Sequence, residues 1–93
     1  MSTTDEKGWD YTRERLGEAL RRFVGYNPSE HDRELVNEAL MELIKKPLAW
    51  GNEDPNSLGV YWGRVDGTDY GILYVPNVET KRVAVADIGP AQS

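Results

Sequence analysis

From Thr12 onward the apolar residues Leu16, Ala19, Leu20, Phe23 and Val24 recur at three- and four-residue intervals, while Arg13, Glu14, Arg15, Glu18, Arg21 and Arg22 lie mostly elsewhere. That spacing predicts one apolar stripe on a helix. Asp10 or Thr12 is placed to cap its first amides, and Gly25 supplies the left-handed residue that commonly ends a helix. Asn27-Pro28-Ser29-Glu30 then predicts a second start, with Asn as the cap, Pro at the first helical position and Glu three residues after the Asn. Leu35, Val36, Ala39, Leu40, Leu43 and Ile44 form the second stripe, Lys45 and Lys46 suit the negative end of the helix dipole, and Pro47 stops the helix. The short Gly25-Tyr26 connection predicts an antiparallel helical hairpin with one shared apolar side.

After a turn-rich stretch from Ala49 to Leu58 the period changes from 3.6 to 2. Gly59 to Val65, Tyr70 to Val75 and Lys81 to Ile88 read as three strands from their β-branched and aromatic content. Asp66-Gly67 predicts a two-residue hairpin turn. In that register Arg64 faces Asp69, Gly63 faces Tyr70 and Trp62 faces Gly71, so each strand glycine lies opposite a ring. Trp9 and Tyr11 alternate around Asp10, which suits either a short edge strand or the lead-in to the first helix. The expected fold is therefore α+β, a helical hairpin packed on a three- to four-stranded antiparallel sheet, with residues 1–8 as a flexible tail and 9–93 as a single domain.

At 93 residues the chain builds one modest core. It has no cysteine, which excludes disulfides, thiolate metal sites and cysteine nucleophiles. No window approaches a membrane span, and Met1 to Lys7 carries no apolar run like that of a signal peptide, so a cytoplasmic location and no membrane partner are expected. The formal net charge of −5 repels a phosphate backbone and makes nucleic acid an unfavoured partner, while it favours approach of a basic protein surface.

Candidate chemistry is sparse. His31 is the sole histidine, with no nucleophile near it in sequence. The carboxylate pairs Glu53/Asp54 and Asp66/Asp69 fall in turns, where solvated carboxylates are normal. Asn52 to Asn56 lacks the alternating ligand spacing of a calcium loop, and no glycine-rich loop leads from a strand into a helix. The aromatic residues Trp9, Trp50, Tyr61, Trp62 and Tyr70 are not interleaved with Lys and Arg as base-stacking surfaces are. No cofactor and no metal are implied. An unrelated small-molecule enzyme has no constellation behind it.

Two helices, Pro47, a glycine-containing loop and the strand text Gly59-Val60-Tyr61-Trp62-Gly63-Arg64-Val65-Asp66-Gly67-Thr68-Asp69-Tyr70-Gly71-Ile72-Leu73-Tyr74 resemble the RelE/ParE family of bacterial toxins. Tyr61, Arg64, Asp69, Tyr70, Tyr74, Val83, Val85 and Gly89 carry the resemblance, which runs from about Trp9 to Gly89. It implies a member of a toxin–antitoxin type system, with an antitoxin or a target protein as partner. In the ribosome-dependent ribonucleases of that family, basic residues on these strands bind phosphate and promote messenger RNA cleavage. Here Trp62 stands at a usually basic position, Gly71 replaces the Arg after Tyr70, and only Pro90 to Ser93 follow Gly89. Arg64 alone remains as a catalytic candidate, and one cation is little with which to stabilise a developing phosphorane. The resemblance thus implies action by protein binding, as in the ParE branch, rather than efficient cleavage. The alternative is a non-toxic, non-catalytic interaction module on the same fold. The expected binding surface is Tyr61, Trp62, Arg64, Asp69 and Tyr70, and a homodimer is left open.

Overall fold

The computed structural model describes residues 8–91; the expected flexible tail lies almost wholly outside the described residues. In chain order the elements are β1 (Asp10–Tyr11), α1 (Arg13–Gly25), α2 (Glu30–Lys45), α3 (Pro47–Trp50), β2 (Asn52–Glu53), β3 (Tyr61–Arg64), β4 (Tyr70–Asn77) and β5 (Arg82–Pro90). They form one five-stranded sheet in the order β1-β5-β4-β3-β2. The chain is α+β, as expected, but the sheet is neither three- to four-stranded nor wholly antiparallel. The β3–β4–β5 meander is antiparallel, whereas β1 joins the far side of β5 in parallel, through Asp10 N–H to Lys81 O and Thr12 N–H to Val83 O. Within Trp9-Tyr11 the pair Asp10–Tyr11 thus forms an edge strand, with a helix directly behind it. A two-residue strand needs only one side of its backbone paired, and Thr12 then turns the chain into α1.

The helices differ from the expected hairpin. α1 packs chiefly along β5, and α2 has α3 as its principal backbone neighbour, so the two long helices do not run in close contact with each other. Each buries its stripe against the sheet: Ala19 and Phe23 from α1, Val36, Leu40 and Leu43 from α2, meeting Val65, Ile72, Tyr74, Val83, Val85 and Ile88 in one core. The cap of α2 is Ser29, whose hydroxyl accepts from Asp32 N–H at 3.0 Å, and not Asn27. Asn27 instead takes the left-handed conformation (φ 58°) that had been expected at Gly25, because α1 continues through Gly25. Pro47 ends α2 but also opens the single turn α3, where its missing N–H costs nothing.

The first hairpin is two residues out of the expected register. Gly63 pairs with Ile72 and Arg64 with Gly71, so the loop is the four residues Asp66 to Asp69, closed by Val65 N–H to Tyr70 O at 2.9 Å. Gly67, at φ 84°, turns the chain within it. A slip of two residues keeps every side chain on its expected face, because the strand period is two. A register shift between β4 and β5 follows Leu73: Leu73 pairs with Asp87 but Tyr74 with Val85, which leaves Ala86 as an extra residue. The extra residue changes the parity of β5, so Val83 and Val85 before it and Ile88 after it all enter the core.

Candidate binding surface

Alternation along β3 divides the five residues expected to form a binding surface. Tyr61 packs against the core with its ring centroid 5.6 Å from that of Tyr74, and Tyr70 meets Phe23 edge-on at 4.9 Å. Both are half-buried beneath the helices. Trp62 and Arg64 face the other way, and Asp69 stands in the loop, 98% exposed. The structure therefore brings together Trp62, Arg64 and Asp69 and separates them from the two tyrosines by the thickness of the sheet.

Among the described residues no helix packs on the face that Trp62 occupies. Its ring lies over Gly71, where an added Cβ would meet the indole at 3.0 Å, so the glycine lets the ring lie flat on the backbone. The partner across the ladder is Leu73, whose neighbour on β5 is Asp87, ion-paired to Arg22, and the next row pairs Val75 with Ala84. Trp62 (37% exposed), Leu73, Val75 (39% exposed) and Ala84 make an apolar strip across three strands. On the helix side the other expected ring-over-glycine contact has a different donor: Trp50, from α3, lies on Gly63 so closely that any Cβ there would enter the ring.

The sheet edges are closed to a further strand. β2 is two residues long. At the other edge the bulge at Ala86 breaks the ladder and Arg22 donates to Ala86 O at 2.7 Å, while Pro90 offers no N–H. These are familiar means of blunting an edge.

Arg64 sits 3.6 Å from Asp69 and lines two hollows. One, of about 410 Å³, is walled by Asp32, Asp66, Gly67, Thr68 and Asp69. Three carboxylates around one guanidinium leave the locality negative, which opposes phosphate. The other, of about 250 Å³, lies between α2 and β3 and is lined by Leu35, Glu38, Ala39, Glu42, Trp50, Val65 and Asp66 as well as Arg64.

The remaining candidates have local structural work. Glu53 accepts from Gly59 N–H at 2.7 Å and Asp54 from Asn56 N–H at 2.8 Å, so both organise the turn-rich loop. His31 is exposed in the first turn of α2. Among the described residues no three His, Cys, Asp or Glu side chains are grouped to hold a metal ion. No helix among them is long and apolar enough to cross a membrane.

Two tyrosines outside the expected binding surface organise the space between helices and sheet. The Tyr11 hydroxyl donates to Leu40 O, tying β1 to α2. The buried Tyr74 hydroxyl donates to Pro47 O at 2.6 Å and accepts from Gly51 N–H at 2.9 Å, pinning both ends of α3. Burial raises the pKa of Tyr11, and the nearby Tyr74 adds to the shift. Burial likewise raises that of Tyr74, against a lowering by the Gly51 N–H and with a further push from Tyr61. Comparison with protein-family models, with curated proteins and with solved structures finds no match.

Proposed function

We propose that this chain is a RelE/ParE-like domain that acts by binding a protein, and that its partner sits on the uncovered sheet face. The observation that carries the proposal is the partly exposed apolar strip Trp62, Leu73, Val75 and Ala84, on a sheet whose other face carries the core. The closed edges favour contact through side chains over addition of a strand. The net charge of −5, with Asp66 and Asp69 beside Arg64, favours a partner that presents basic residues around an apolar centre. On this reading the two helices and the β3–β4–β5 meander correspond to the helix-pair-and-sheet arrangement that the resemblance implies, and action is cytoplasmic.

The test has two arms. Protein captured by the wild-type chain is purified and titrated against wild type and Trp62→Ala; the expected result is at least a tenfold weaker complex for the variant, since a central exposed tryptophan is the usual anchor of an interface. Equal affinity removes the sheet face from the proposal. In the second arm, wild type and Arg64→Ala are induced in a bacterial host. Growth arrest by both fits a binding toxin, whereas arrest abolished by Arg64→Ala means that Arg64 takes part in cleavage. Absence of arrest with the complex retained favours a non-toxic interaction module, a reading supported by the acidic surroundings of Arg64.

A further inference from the structure

We infer that the hollow between α2 and β3 is a receptor for one arginine side chain of a partner protein. It lies on the helix side of the sheet, opposite the Trp62 strip, and the inference goes beyond the binding mode proposed above. The floor is apolar, made by Leu35, Ala39, Val65 and the ring of Trp50, which reaches its position only because Gly63 has no side chain. The rim is anionic. Glu38 and Glu42 stand one turn apart on α2, and Asp66 faces them from the β3–β4 loop.

Charge decides the occupant. Of the two cations near the rim, Arg64 is turned to Asp69 at 3.6 Å and Lys45 to Glu42 at 3.3 Å. Among the described residues neither Glu38 nor Asp66 is in an ion pair. An anionic ligand is repelled here. A compact metal ion is poorly served as well, because the carboxylates are not grouped as a ligand set. A guanidinium suits the arrangement: its five N–H donors reach several separated acceptors at once, its plane stacks on an indole, and its stem covers apolar surface. At about 250 Å³ the hollow falls below the ~300–1,000 Å³ usual for drug-sized ligands, which accords with a single long side chain.

The probe is the capped tripeptide acetyl-Gly-Arg-Gly-amide, titrated into the ¹⁵N-labelled chain, beside the same peptide with citrulline or lysine in place of arginine. The arginine peptide is expected to move the Leu35, Ala39 and Val65 amides and the Trp50 indole signal. The double variant Glu38→Gln, Glu42→Gln changes only exposed side chains and is expected to weaken binding by roughly three- to tenfold. Citrulline, isosteric but uncharged, is expected to bind more weakly than arginine by a similar factor, and lysine to bind more weakly than arginine. Trp62→Ala is expected to leave this binding unchanged, so loss of the sheet-face partner and loss of this site are separable. Citrulline or lysine binding as tightly as arginine, shifts centred elsewhere, or indifference to the double variant overturns the inference.

Discussion

Tyr74 connects the most structure through the fewest atoms. Its hydroxyl is buried, donates to Pro47 O and accepts from Gly51 N–H, and Gly51 itself has no room for a side chain, since a Cβ would lie 2.8 Å from Trp62 O. Tyr74→Phe leaves a buried carbonyl and a buried amide unpaired and is expected to lower stability by about 2–3 kcal/mol, read from the shift of a urea unfolding curve. The raised tyrosine pKa values have a definite sign. An unfolded tyrosine ionises near ~10, and the folded chain holds the Tyr11 and Tyr74 protons to higher pH. The unfolded state then binds fewer protons than the native one above that point, so the contribution is fully present below about pH 10 and is lost as pH rises beyond it. Urea unfolding between pH 8 and 11 is expected to show this decline, and Tyr11→Phe is expected to make it shallower. Neither hydrogen-bonding role was legible in the sequence, because the groups these hydroxyls donate to lie 29 and 27 residues away.

Among the elements, the stripes of α1 and α2 were readable almost residue for residue. Phe23, Val36, Leu40 and Leu43 are buried as their spacing requires, although Val24, at the margin of its stripe, is 54% exposed. The junction between the helices was not readable to the residue. Asn27 and Ser29 are both good caps, and the choice falls to Ser29 because Asn27 is used in the left-handed turn that leaves α1. Ser29→Ala is accordingly expected to cost about 1 kcal/mol in thermal or urea unfolding, with a matching loss of helical signal at the start of α2. A similar ambiguity governs the strands. The run Tyr70-Gly71-Ile72-Leu73-Tyr74-Val75 is apolar at both parities, so its alternation did not distinguish the core face from the face that carries Leu73 and Val75. Asp66-Gly67 marked a turn correctly, but its length of four residues depends on the hydrogen bond between Val65 and Tyr70 that closes it.

For the molecule as a whole, the two long helices share the cover of one sheet face without forming a tight pair, and the edges are blunted by a short strand, a bulge and Arg22. On the proposed reading a partner meets side-chain surface, at the Trp62 strip on one side of the sheet and the Trp50 hollow on the other. With a net charge of −5, association with a basic partner is expected to slow as salt is raised, while dissociation from the apolar strip changes little. Stopped-flow or surface-binding kinetics across ~50–500 mM salt checks this; an association rate indifferent to salt would sink the charge argument.

The sequence by itself determined the α+β class, the two amphipathic helices and the antiparallel meander, because each of these follows from local periodicity or turn residues. Tertiary structure alone decided that Tyr61 and Tyr70 face the core while Trp62 faces solvent, that Trp50 and not Tyr70 covers Gly63, and that β1 closes the sheet in parallel. Those outcomes depend on contacts between segments far apart in the chain, which are set by how the helices cover the sheet and by the parity that the Ala86 bulge imposes on β5.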